Sequence, residues 1–380
     1  MNIKNMAQLS GKIKSIDYKK ALTENLPICG GDDVNAWAAK CCINYENCTY
    51  AVSKWVSPKR TRSYPYSRVY DTLSTCGGKV ITIIPIIKDE GLDGDMDYLQ
   101  WDTISLMSLL NVYVIIAYYN EADKNDRKGR KPNKITNQRL DSNYVISKIS
   151  ELNFYHSSAL HWNLKQLERE NLEFLLNLSI DGYKNISNKL SIKIHDISNI
   201  QKFKNKISEA RNSFMNLSRN KAKQAQNRES LTIQPKEALS NGEKMTIEIE
   251  NYLGGNYYLT VDDVIIKDKY YLIESKHTNS GLLPALDDIK DGLLKMFIFS
   301  NIDELKTKEG SVNFKPVLRL TSEKLQGKIE ENSSEKSLNS FFICNNFNES
   351  QKKLIKTLIK EANMNNFGIL VEKSSIGKNL

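Results

Sequence analysis

The sequence predicts an α/β protein in three parts: an N-terminal α/β region over residues 1–140, a helical middle segment over 141–228, and a C-terminal α/β unit over 229–380. Three observations carry this reading. Residues 80–87 (VITIIPII) and 112–119 (VYVIIAYY) are near-continuous apolar runs, as expected of strands buried on both faces. Residues 141–228 contain no proline and one glycine, Gly182. From Lys244 onward, short alternating or apolar runs are separated by turn residues.

Taken in order, residues 1–79 are irregular and hold a cysteine cluster. Strand 80–87 leads through an acidic loop to a helix over 98–110, with Asp97 placed to cap it. Strand 112–119 follows, so a parallel crossover is expected. The basic stretch after Asn120, with Gly129 and Pro132, reads as a loop. In the helical segment Leu164, Leu167, Leu172, Leu175, Leu176 and Leu178 supply an apolar face, and a last helix spans about 198–227. Gln234-Pro235 and Asn241-Gly242 mark turns. Residues 245–250 alternate strictly, and Gly254-Gly255 turns the chain. Residues 257–266 and 270–277 are strands around a tight turn at 267–269. A helix starting near Pro284, a strand over 314–321, a helix over 350–364 and a strand over 369–372 complete a β-β-β-α-β-α-β order.

Composition narrows the class. Of 380 residues, 40% are hydrophobic and 26% charged, which excludes a disordered chain. No apolar run approaches the roughly 20 residues of a membrane helix. The first residues carry no apolar segment, and the six cysteines form no CxxC pair, so a cytoplasmic chain with free thiols is expected. A zinc site from Cys29, Cys41 or Cys42, and Cys48 is the weaker alternative. Lys+Arg exceed Asp+Glu by 54 − 45, giving +9. The excess gathers at 59–62, at 124–139 and at 201–227, which points toward a polyanionic partner.

One hairpin carries candidate chemistry. In the strand ending Tyr-Leu-Ile-Glu274-Ser-Lys276, Glu274 and Lys276 lie two apart and share a face. A two-residue turn at Asp268-Lys269 sets Asp263 opposite Glu274; a three-residue turn sets Asp262 there instead. Asp263 is the first choice. Two carboxylates at cross-strand distance repel unless a cation sits between them, and Mg²⁺ suits carboxylate oxygens and water. Lys276 beside such an ion can position water or stabilise charge developing on phosphate. The acidic stretch 89–97 is a second carboxylate cluster, but its spacing fails as a calcium loop, and capping with solvation accounts for it. His156, His161 and His277 read as packing or exposed residues. No phosphate-binding G-x-x-x-x-G-K, dinucleotide or nucleophilic-serine motif is present.

The segments Val261-Asp262-Asp263-Val264-Ile265-Ile266 and Leu272-Ile273-Glu274-Ser275-Lys276 resemble the PD-(D/E)xK nuclease superfamily. That resemblance covers about 100–150 residues and implies a restriction-endonuclease-like mixed central sheet in α-β-β-β-α-β order over 198–321. It implies that Asp263 and Glu274 bind Mg²⁺, that Lys276 assists the attacking water, and that Glu250 or Glu248 supplies a further acid. Val261 or Asp262 stands where the family often has proline, which keeps both aspartates open as first ligand. A self-contained chain with a large basic region ahead of the core looks like a type II restriction endonuclease acting on double-stranded DNA. Symmetric cutting of both strands would suit a homodimer.

Overall fold

The structure, a computed structural model, describes residues 8–46, 48–59, 65–125, 131–208, 243–251 and 256–374. The expected turns at 234–235, 241–242 and 254–255 lie outside them. The chain divides into two compact units, Asn25–Asn220 and a second built from Met1–Glu24 with Lys221–Leu380. The divisions expected after residues 140 and 228 are therefore not the ones the packing makes. The first strand, β1 (Gln8–Ile13), belongs to the C-terminal unit.

In the Asn25–Asn220 unit, β2 (Ile28–Cys29), β3 (Lys40–Tyr45), β4 (Cys48–Lys54), α1 (Pro65–Thr72) and β5 (Val80–Pro85) come first. Then follow β6 (Ile87–Asp89), β7 (Met96–Tyr98), α2 (Trp101–Leu109), β8 (Val112–Ala117), β9 (Tyr119–Lys124) and β10 (Ile135–Leu140). Four helices close the unit: α3 (Ser142–Asn153), α4 (Ala159–Gln166), α5 (Arg169–Leu190) and α6 (Ile197–Ser208). The main sheet runs β2-β3-β4-β5-β8, and β5 lies parallel to β8 across the α2 crossover. All six residues of β8 are buried, as its apolar run required.

The helices share this sheet's core rather than forming a unit of their own. Trp162 Nε1 donates to Val114 O at 2.7 Å, and Asn163 accepts from Val114 N and donates to Val112 O on the same edge of β8. Gly182, the one glycine of the helical segment, explains how α5 reaches β9: a Cβ there would stand 2.4 Å from Tyr119 O. Helix α6 packs by Phe203 against Tyr98, with ring centroids 4.6 Å apart. It therefore belongs to this core and is not the leading helix of the C-terminal sheet.

Asp97 does not cap α2. It lies in β7, buried, bonded to Ser57 Oγ at 2.9 Å and to Lys59 Nζ at 2.5 Å. Strand pairing with β6 keeps the chain extended through Tyr98, so the helix starts three residues later, after Gln100.

The C-terminal unit continues with β11 (Glu243–Asn251), β12 (Asn256–Ile266), β13 (Tyr270–Thr278), α7 (Leu286–Ser300), β14 (Glu304–Thr307), β15 (Gly310–Val312) and β16 (Phe314–Ser322). It ends with β17 (Lys328–Glu330), α8 (Glu335–Cys344), α9 (Glu349–Asn365) and β18 (Gly368–Lys373). Its sheet is mixed, in the order β15-β14-β1-β11-β12-β13-β16-β18-β17. Strands β11, β12 and β13 form an antiparallel meander; after α7 the chain returns as β16, parallel to β13. Leu272, Leu318, Leu320 and Val371 project to one face, where α7 buries Ile289, Leu293, Met296 and Phe297. A full capping box, Asn348 with Gln351, starts α9.

Candidate active site

The β12–β13 register decides which aspartate meets Glu274. Asp263 pairs with Ile273 and Ile266 with Tyr270, around the turn in which Lys267 N donates to Lys269 O. One step further along this register places Asp262 opposite Glu274. Asp262 Oδ2 accepts from Ser275 N at 2.8 Å. The first choice, Asp263, is thus corrected in favour of the alternative aspartate: a three-residue turn shifts every pair by one, and a shift of one reverses the face.

Glu274 is 1% exposed and holds two ammonium groups, Lys276 Nζ at 3.1 Å from Oε1 and Lys295 Nζ at 2.6 Å from Oε2. Lys276 Nζ also meets Asp291 Oδ2 at 2.8 Å. Strands β12 and β13 therefore present Asp262, Glu274 and Lys276, and α7 adds Asp291 and Lys295. Gly292 makes this approach feasible. A Cβ there would lie 3.2 Å from Lys276 Cε and 2.7 Å from Leu318 Cδ1, so a side chain would obstruct the lysine as it crosses the helix.

Among the described contacts, three carboxylates, Asp262, Glu274 and Asp291, lie with two ammonium groups, Lys276 and Lys295. Burial, followed by repulsion from Glu274, pushes the Asp262 carboxyl up to about 6 from its ordinary 3.8. Burial works against the Lys276 charge, but Glu274 and Asp291 outweigh it and hold the ammonium well above its ordinary range. Lys276 is thus a fixed cation and donor rather than a proton acceptor.

The raised Asp262 has a consequence for stability. Between its unfolded value near 4 and its folded value about 6, the folded state holds a proton the unfolded state has released. Stability supplied by this group is present below that window and lost as pH rises through it. Metal-free wild-type protein is expected to lose more melting temperature between pH 4 and pH 6.5 than Asp262→Asn does. Parallel wild-type and variant profiles over that range would contradict the assignment.

Asp263 lies on the opposite face of the sheet. It is 1% exposed; Oδ2 stands 3.5 Å from Arg319 Nη1, and Oδ1 is buried with no hydrogen-bond partner among the described residues. Burial raises its pKa, and the Arg319 charge opposes that rise. Arg319 Nε also donates to Ser275 Oγ at 2.9 Å. Glu250 does not join the site. It pairs with Asn256, six residues along β12 from Asp262, or roughly 20 Å at strand rise. It is exposed and 4.0 Å from Lys12 on the neighbouring β1. Glu248 pairs with Tyr258, four residues from Asp262. Neither upstream glutamate reaches the cluster, because the β11 segment that bears them runs away from it. The carboxylate that does stand beside Lys276 is Asp291 of α7, at 2.8 Å.

Among the described residues no three His, Cys, Asp or Glu side chains group closely enough to hold an ion by themselves. Mg²⁺ needs less, since one or two protein carboxylates, with water and substrate phosphate, complete its shell. Asp262 and Glu274 are two such carboxylates, and both oxygens of Glu274 are met by Lys276 and Lys295.

The remaining candidates resolve into structure. Asp89 is buried, with Oδ1 2.7 Å from His195 Nδ1. Glu90 is held by Lys88 at 3.0 Å and Lys134 at 3.1 Å, and Asp93 Oδ2 accepts from Asn133 N at 2.8 Å. These carboxylates are thereby satisfied by Lys88 and by the segments that carry Asn133, Lys134 and His195. Cys42 and Cys76 are joined in a disulfide, which corrects the expectation that all six thiols are free and removes Cys42 from any zinc set. Cys41 is buried and Cys48 exposed. His161 bonds Ser157, and His277 bonds Thr321 and Asn279.

Of the basic clusters, residues 60–62, 126–130 and 209–227 lie outside the described residues. The described members are partly neutralised: Lys59 by Asp97, Lys134 by Glu90, and Arg139 by Glu121 and Asp123, both at 3.0 Å. Among the described residues no helix is long and apolar enough to cross a membrane.

No family model matches the chain, and no curated protein or solved structure matches it either.

Proposed function

We propose that the chain is a Mg²⁺-dependent DNA endonuclease of the restriction type, hydrolysing phosphodiester bonds of double-stranded DNA at the Asp262–Glu274–Lys276 cluster. The observation that carries this reading is the convergence of two strand carboxylates and a strand lysine, all buried or half-buried, at the junction of an antiparallel meander with α7. The meander and α7, followed after the β14–β15 hairpin by the parallel strand β16, support a likeness to a PD-(D/E)xK core. Asp262 and Glu274 would hold the ion, which when bound polarises the phosphate and lowers the pKa of water. Lys276, kept protonated, donates toward the phosphate oxygen on which charge accumulates. Asp291 holds the Lys276 ammonium in place, and Lys295 holds the Glu274 carboxylate.

The test is incubation of purified protein with plasmid and phage DNA and Mg²⁺. Wild type is expected to cut, and Lys276→Ala to cut about 10²-fold more slowly. If the two leave every substrate equally intact, the reading fails.

A second reading is favoured by the occupancy of Glu274, both of whose oxygens are engaged by lysines. On it the cluster is a buried ion network in a non-catalytic nucleic-acid-binding protein. That reading expects salt-sensitive DNA binding, indifferent to substitution at Asp262, with no cleavage by wild type.

A further inference from the structure

Helix α9 turns Ile355, Leu358 and Ala362 into the C-terminal unit's core and leaves the opposite face to solvent. Lys353, Lys356 and Lys360 recur there at i, i+3 and i+7, and all three are exposed. The helix begins with an ordinary pair, Lys352 to Glu349 at 2.7 Å. Beyond it, among the described residues, Lys353, Lys356 and Lys360 make no ion pair.

Helices α3 and α5, by contrast, pair charges one turn apart: Lys148 with Glu151, Arg169 with Glu173, Lys184 with Asp181. Like charges at this spacing destabilise a helix by about 0.2–0.5 kcal/mol per pair, so the stripe works against the element that carries it. A shallow depression of about 350 Å³ runs along it, lined by the same lysines, Glu349 and Thr357.

We infer that the Lys353–Lys356–Lys360 face of α9 is a rail for the sugar-phosphate backbone of duplex DNA. The inference rests on the reading that DNA is the substrate, and adds where the duplex is held. The stripe runs over seven residue steps, about 10 Å of helix. Each DNA strand carries one charge per ~3.4 Å of axis, so about three phosphates of one strand span the same length. Three ammonium groups on flexible stems match this as point charges, without sequence preference. Base reading belongs elsewhere in the chain.

The experiment compares full-length wild type with Lys353→Gln/Lys356→Gln/Lys360→Gln, and with the matching triple Glu variant. Binding to a fluorescent duplex is measured by anisotropy from 50 to 200 mM salt, and melting curves confirm that each variant folds. Three contacts contribute a slope of about −2.7 in log K against log salt. Over this fourfold change in salt, wild type is expected to lose about 40-fold more affinity than the Gln variant does. The Glu variant is expected to bind more weakly than the Gln variant at 50 mM. Equal slopes for wild type and both variants overturn the rail. So does wild-type binding to anionic phosphatidylserine vesicles with none to duplex, which would make the stripe a membrane contact. Plasmid cutting is scored separately. Cutting by wild type with equal slopes defeats the rail and leaves the nuclease reading intact; a shallower variant slope with no cutting by wild type does the reverse.

Discussion

Asp262→Asn is expected to reduce Mg²⁺-dependent plasmid cleavage by about 10³-fold, while Asp263→Asn stays within a few-fold of wild type. The two residues are adjacent in sequence, equally acidic and both raised in pKa, so nothing but the face of β12 separates them. Asp262 shares its face with Glu274, Lys276 and the α7 pair; Asp263 looks the other way, toward Arg319. An asparagine at 262 keeps the acceptor for Ser275 N but removes the charge that would attract the ion. At 263 the asparagine retains the shape of a side chain whose Oδ1 has no hydrogen-bond partner among the described residues and whose contact with Arg319 is long, at 3.5 Å. Removing that charge leaves Arg319 with Ser275 Oγ, so its cost is expected in stability and not in cleavage. Single-turnover cleavage at saturating enzyme, with melting curves for both variants, is the measurement. Loss at 263 with activity kept at 262 would move the ion to the Arg319 face and reverse the assignment.

That pair also marks where sequence reading stops. The strands and helices around the site were legible because their periods are strong. Alternation over 245–250, the apolar run before Glu274 and the stripe of 350–364 all appear as β11, β13 and α9 within a few residues. Glu274 and Lys276 sharing a face follows from the two-residue period alone. Choosing between adjacent aspartates needed the turn length, a single-residue quantity that Lys267-Asp268-Lys269 does not encode unambiguously. Asp291 and Lys295 were missed because they lie on a helix, 15 residues or more beyond Lys276, and meet the strand only through the crossover. A signal was present for one of them. Lys295 interrupts Leu293-Leu294 and Met296-Phe297-Ile298-Phe299, and a lone ammonium inside so apolar a run needs a buried partner. The place of β1 in the C-terminal sheet was not readable, since parallel pairing over more than 230 residues leaves no local trace.

The largest stability effect is expected at Glu274. Glu274→Ala leaves Lys276 with Asp291 but strips Lys295 of its contact at 2.6 Å, stranding an ammonium that is 9% exposed beneath α7. Removing one partner of a buried pair costs about 3–5 kcal/mol, a large part of the 5–15 kcal/mol that holds an ordinary domain together. The cost lies mostly in the stranded charge, so it should be recoverable. Lys295→Met on the Glu274→Ala background replaces the ammonium with an apolar chain of similar length, and about half of the lost stability should return. Cleavage should not return, since the carboxylate proposed to hold the ion is still missing. Urea unfolding of wild type, the single variant and the double variant measures the first quantity, and plasmid cutting measures the second. A single variant that loses less than about 1 kcal/mol would mean that Lys295 finds water, and that Glu274 is not the buried anchor its two lysine contacts imply. Recovery of stability without recovery of cutting would separate what this glutamate does for the fold from what it does for the reaction.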